Sequence, residues 1–135
     1  MKTIYLCHDR QESPAARQNF LEMAGYDVQL FTNGRDLFRA IADKEPGLVI
    51  LDVLIEGKNG FEICSEMHVS RARSFPVVMC SRVYRSRIFR DEALNSGATE
   101  YMPLPMNLDE FVSRVTEIID NHKGPEGGEL TLDVA

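Results

Sequence analysis

Scarcity narrows this sequence first. Only three of its 135 residues are cysteine. Cys7, Cys64 and Cys80 are odd in number and form no close pair, so neither a disulfide framework nor a zinc motif is suggested. Cys7 and Cys80 fall inside apolar runs, where a thiol behaves as a small hydrophobe. No apolar run approaches membrane-spanning length. Met1-Lys2-Thr3 leads at once into a strand pattern, so no signal peptide is expected. The expected location is a reducing cytoplasm, without membrane contact. Positive charge is also short: 15 Lys and Arg stand against 21 Asp and Glu, and the net charge of −6 argues against nucleic-acid binding. A local exception runs through Arg82, Arg85, Arg87 and Arg90, with Arg71 and Arg73 upstream. Those arginines form either a solvated helix face or a docking surface for an acidic partner. No internal repeat is evident.

The length suits one domain with a proper core and is too short for two. The most informative stretch is Leu48-Val49-Ile50-Leu51-Asp52, an uninterrupted apolar run closed by a carboxylate. It follows Pro46-Gly47 and precedes Gly57 and Gly60, the pattern of a strand buried on both faces of a parallel sheet. Comparable strands are predicted at Ile4–Cys7, Tyr26–Phe31, Pro76–Cys80 and Thr99–Met102.

Helical patterns alternate with them. Ser13 and Pro14 predict a cap and first turn, followed by an apolar stripe of Ala16, Phe20, Met23 and Ala24 and a stop at Gly25. Asn33 is predicted to cap a helix carrying Leu37, Phe38 and Ile41. A third helix carries Phe61, Ile63, Cys64 and Met67. Ile88, Phe89, Ala93 and Leu94 mark a fourth, ended by Gly97. Asn107 and Glu110 form a capping-box pattern, with Met106 able to staple onto Phe111, and Val115, Ile118 and Ile119 continue that face. The folded domain is expected over residues 1–122. Residues 123–135 begin Lys-Gly-Pro-Glu-Gly-Gly and suggest a flexible tail or the start of a linker.

Strict β-α alternation predicts an α/β protein: a doubly wound parallel sheet of five βα units, flavodoxin-like, with strand order 2-1-3-4-5. Such sheets carry their chemistry at the carboxyl ends of the strands. That edge would gather Asp9, Asp52, Ser81 and Leu104. Asp9 and Asp52 would face each other across the switch point, and two carboxylates suit a hard divalent cation. Ser81 could donate a hydrogen bond to a bound oxyanion. Phosphoryl transfer onto a carboxylate would be served by such a set.

Here the sequence resembles the receiver domain of bacterial two-component response regulators, from about Lys2 to Asn121. The resemblance rests on His8-Asp9, Leu48–Asp52, Asn59-Gly60, Val77–Ser81, Gly97-Ala98, Tyr101 and Pro105 in that order. It implies that Asp52 is the phospho-acceptor and that magnesium is held by Asp9 and the Leu54 main-chain carbonyl, with His8 at a neighbouring position. It implies that Ser81 hydrogen-bonds the phosphoryl group and that Tyr101 is the aromatic switch. The implied partners are a sensor histidine kinase or phosphotransfer protein, and a downstream target on the face formed by the fourth helix, fifth strand and fifth helix. Arg87 and Arg90 are the candidate contacts there, and a homodimer through the same face is a further option. The bond before Pro105 is expected to be cis.

Two positions depart from the family pattern. His8 stands where the family has an acid, and a neutral imidazole suits magnesium less well. Leu104 stands where the family has a lysine that pairs with the phosphoryl group; a charge-assisted hydrogen bond of that kind is worth about 1.5–3 kcal/mol. Glu56 sits at a turn position that is often proline in the family and adds negative charge near the crevice. The expectation is a non-enzymatic receiver that accepts phosphoryl on Asp52 with impaired switching. The alternative is a pseudo-receiver that binds partners without phosphate. An aspartate-nucleophile phosphatase is disfavoured because Asp9-Arg10-Gln11 lacks the second Asp, and a flavodoxin because the first loop lacks a Ser/Thr/Gly-rich phosphate cradle.

Overall fold

A computed structural model describes residues 2–56, 58–70 and 74–122. Arg71, Arg73 and the predicted tail at 123–135 lie outside the described residues. Ten elements alternate along the described residues: β1 (Thr3–Cys7), α1 (Ala15–Met23), β2 (Asp27–Phe31), α2 (Gly34–Asp43), β3 (Leu48–Asp52), α3 (Gly60–Ser70), β4 (Val77–Ser81), α4 (Arg87–Asn95), β5 (Glu100–Pro103) and α5 (Leu108–Asn121). The strands form one parallel sheet in the order β2-β1-β3-β4-β5, with β3 and β4 buried at every position.

The two-residue period of a strand divides the core into two layers. Tyr5, Cys7, Val49, Leu51, Val77, Met79 and Tyr101 pack with Leu37 of α2, Ile63 of α3 and Ala93 of α4. Ile4, Leu6, Leu48, Ile50, Val78, Cys80 and Met102 pack with Leu21 of α1 and with Phe111, Val115 and Ile119 of α5. Along β3 the second set includes Leu48 and Ile50. By parity Asp52, the last residue of the strand, leaves the sheet on the side of α1 and α5.

Helix ends follow their sequence signals in most places. Asn33 caps α2 by accepting from the Asp36 amide at 2.8 Å, and Asn107 caps α5 by accepting from the Glu110 amide at 3.0 Å. Gly25 and Gly97 end α1 and α4 at φ 99° and 100°, a region that favours glycine. The Leu104–Pro105 bond is cis.

Helix α1 departs from its predicted pattern twice. Its cap position is Pro14, and the Ser13 hydroxyl accepts from the Ala15 amide instead. The expected stripe faces outward, with Met23 82% exposed, Ala16 and Ala24 exposed and Phe20 half-buried. The buried residues of α1 are Arg17 and Leu21, one helical turn apart. Apolar periodicity misassigns this face because one of its inward residues is charged, and a charge is buried only when it is paired. In α4 the same correction applies more mildly: Ala93 is buried, while Ile88 is 69% and Leu94 42% exposed.

Candidate functional site

The carboxyl edge of the sheet brings the predicted residues together. Asp9 follows β1, Asp52 and Ser81 end β3 and β4, and Leu104 follows β5. Asp9, Asp52, Leu54, Ser81 and Leu104 line one shallow crevice with Glu12 and Arg82. Its free volume is about 10 Å³, the space of roughly one water.

The decisive feature beneath this crevice was not expected from the sequence. Arg17 reaches across from α1 and grips Asp52 with both terminal nitrogens: Nη1 donates to Oδ1 at 2.8 Å and Nη2 to Oδ2 at 2.9 Å. The two side chains are 8% and 7% exposed. Strand parity turns Asp52 towards α1, and Arg17 lies one turn before the core residue Leu21, so the fold aims each group at the other. Burial works against the charge on Arg17. The hydrogen bonds and charge of Asp52 more than offset it and hold the guanidinium above its ordinary pKa. A bidentate guanidinium–carboxylate pair is among the stronger side-chain hydrogen-bond geometries.

Two glutamates near the crevice also have arginine partners. Glu56 pairs with Arg10 at 3.2 Å and Glu12 with Arg82 at 3.4 Å, both near the surface. Asp9 has no cationic partner among the described residues; its Oδ1 accepts from the Gln11 amide at 3.0 Å, and its own amide points at Asp52 Oδ2 at 3.4 Å. His8 is buried, with Nδ1 2.9 Å from the Asp9 carbonyl oxygen.

Ser81 and Tyr101 hold the loop after β4. The Ser81 hydroxyl oxygen accepts from the amides of Val83 and Tyr84 at 3.1 and 3.0 Å. Tyr101 is buried, and its hydroxyl donates to the Tyr84 carbonyl. Burial raises the Tyr101 phenol above its usual pKa. Leu104, at the position where the family has lysine, is buried in the core layer of α1 and α5 and directs no polar group at Asp52.

Fold and crevice together define a doubly wound α/β protein with a carboxylate at the end of its central strand. The sequence matches the family model of the response regulator receiver domain over residues 4–116, and the chain belongs to that family. Solved structures agree on the fold. The receiver domain of the Francisella response regulator 1452 superposes with a TM-score of 0.81 at 19% identity, covering 91% of this chain and 100% of that one. A two-component response regulator from Clostridium difficile gives 0.80 at 21% identity, covering 90% and 98% of the two chains. A CheY-like receiver domain protein from Methanospirillum hungatei gives 0.80 at 22%, covering 90% and 96%.

Receiver domains generally use magnesium beside the acceptor aspartate, but the residues present here do not fit that ion. Both Asp52 oxygens are engaged by Arg17, the second acid is replaced by His8, and Asp9 alone remains without a cation. Among the described residues, no three His, Cys, Asp or Glu side chains are grouped to hold a metal. A guanidinium stands where the metal expectation for Asp9 and the Leu54 carbonyl required an open carboxylate. Arg17 is the functional residue that sequence reasoning missed. Its spacing of four from Leu21 was the available signal.

Proposed function

We propose that this chain is a receiver-family interaction module that works without phosphoryl transfer and without an enzymatic step of its own. One observation carries the reading: each oxygen of Asp52 is already bound by a buried guanidinium nitrogen. An acceptor carboxylate must offer an oxygen to phosphorus and share the developing charge with a cation. Here its charge is compensated from within the fold. The inward Tyr101 and the loop held by Ser81 support a single persistent surface for partners.

That surface is centred on α4. Arg85, Arg87 and Arg90 are exposed beside Val83 and Ile88, which are 61% and 69% exposed. Cationic side chains around exposed aliphatic groups fit an acidic, amphipathic segment of a partner protein in a reducing, cytoplasmic setting. Reversing charge at Arg87 and Arg90 is expected to abolish binding of the native partner while leaving the circular dichroism spectrum unchanged.

The second reading is phosphoryl acceptance on Asp52 from a histidine kinase or phosphotransfer protein with magnesium. It is favoured by Asp9, Asp52 and Ser81 lining one crevice, with the Asp9 main-chain amide directed at Asp52. Intact mass after incubation with a small phosphodonor and magnesium separates the two, with Asp52→Asn as control. No mass gain is expected. Addition of one phosphoryl group, lost in the control, would overturn the first reading in favour of the second.

A further inference from the structure

The Arg17–Asp52 pair carries a consequence for metal binding that shares its geometry with the interaction-module reading and can fail separately from it. We propose that the Arg17 guanidinium takes the place of a divalent cation at this crevice, so that Asp9 and Asp52 form a cation site only when that guanidinium is removed.

Charge points to this first. His8 supplies no negative charge, which leaves Asp9 and Asp52 as the carboxylates at the strand ends that line the crevice. Glu56 and Glu12 at the rim have their own arginines. One guanidinium then leaves these two carboxylates with a residual charge of about one unit, too little to favour a strongly hydrated dication over the arginine already present.

Geometry gives the second argument. Arg17 is delivered by a helix whose neighbouring inward residue, Leu21, is fully buried in the core. The helix that delivers it is therefore anchored in the core within reach of Asp52. A dication binding Asp52 would compete with the guanidinium for the same carboxylate, and displacing it would leave it buried without a partner, which is costly. The guanidinium offers five N–H donors and no acceptor, so it neutralises the carboxylate without presenting an open coordination position.

Manganese titration followed by electron paramagnetic resonance, together with thermal unfolding in millimolar magnesium, tests the proposal. The native chain is expected to leave manganese unbound and to unfold at the same temperature with and without magnesium. Arg17→Met, which keeps bulk and removes charge, is expected to bind manganese at least about tenfold more tightly than the native chain. That gain should disappear when Asp52→Asn or Asp9→Asn is added. Manganese binding by the native chain that Asp52→Asn removes would overturn the proposal. So would a folded Arg17→Met protein that binds no better than the native one. Arg17→Gln, which keeps a neutral donor near Asp52, is the second variant should Arg17→Met fail to fold; the native-chain titration needs neither. Phosphoryl acceptance without manganese binding would sink the interaction-module reading and leave this one standing. Manganese binding without phosphoryl acceptance would do the reverse.

Discussion

An amide at position 52 would leave the Arg17 guanidinium buried with a neutral partner. Removing one partner of a buried pair typically costs about 3–5 kcal/mol. Asp52→Asn is therefore expected to lower the unfolding free energy by about 3 kcal/mol or more in a urea titration. Replacing both groups by apolar residues of similar size, Arg17→Met with Asp52→Leu, is expected to recover most of that loss. An unchanged midpoint for Asp52→Asn would mean that the pair contributes little to the fold. The thiols make a second prediction. Burial pushes the Cys7 and Cys80 thiols up to about 12 from the ordinary 9.0 of a free thiol. Between those values the unfolded chain releases thiol protons that the folded chain keeps. Stability should fall as pH rises through that window, and the slope should flatten in a Cys7→Ala, Cys80→Ala variant. Asp9, Asp52 and Ser81 were legible in the sequence because each ends or follows a strand pattern. Arg17 was not, because polarity normally places arginine outside and only three-dimensional pairing brings it in.

Single elements were legible wherever a local signal set them. The caps of α2 and α5 follow directly from Asn33 and Asn107. Asn107→Ala is expected to cost about 1 kcal/mol, measured by thermal or urea unfolding, because the Glu110 amide loses its acceptor. Helix α1 was misread because nine residues give few turns for periodicity to average over, and its inward face spends one position on charge. Helix α3 shows a constraint no periodicity reveals. A Cβ on Gly60, its first residue, would lie 2.4 Å from the Asp52 carbonyl oxygen, and the Gly60 amide donates to the Val53 carbonyl at 2.6 Å. Of its near neighbours only the Met79 methyl, at 3.0 Å, could yield; the Asp52 oxygen and the Val53 Cα at 3.0 Å are backbone. Gly60→Ala is expected to destabilise by at least about 1–3 kcal/mol, the usual range for overpacking. A variant as stable as the native chain would show that α3 can shift away from β3.

At the scale of the whole molecule, alternation and buried runs were enough to give strand order and the edge that carries the site. Which core layer each residue joins was also implicit, since parity along β3 puts Leu48, Ile50 and Asp52 on one side. What the linear pattern could not supply was the meeting of that side with α1, a contact between residues 17 and 52. Positive charge is absent at Leu104 and present at Arg17, two positions that are distant in sequence and both in the layer of α1 and α5. Taken together they are a detectable signature. Among chains of this family, an arginine at the third residue of the first helix, combined with an apolar residue before the cis proline, should mark members whose acceptor carboxylate is held internally. Where one of the two changes occurs without the other, the carboxylate would carry either two competing cations or none. Paired occurrence across the family is therefore the expected pattern, and frequent occurrence of either alone would show that the two positions vary independently.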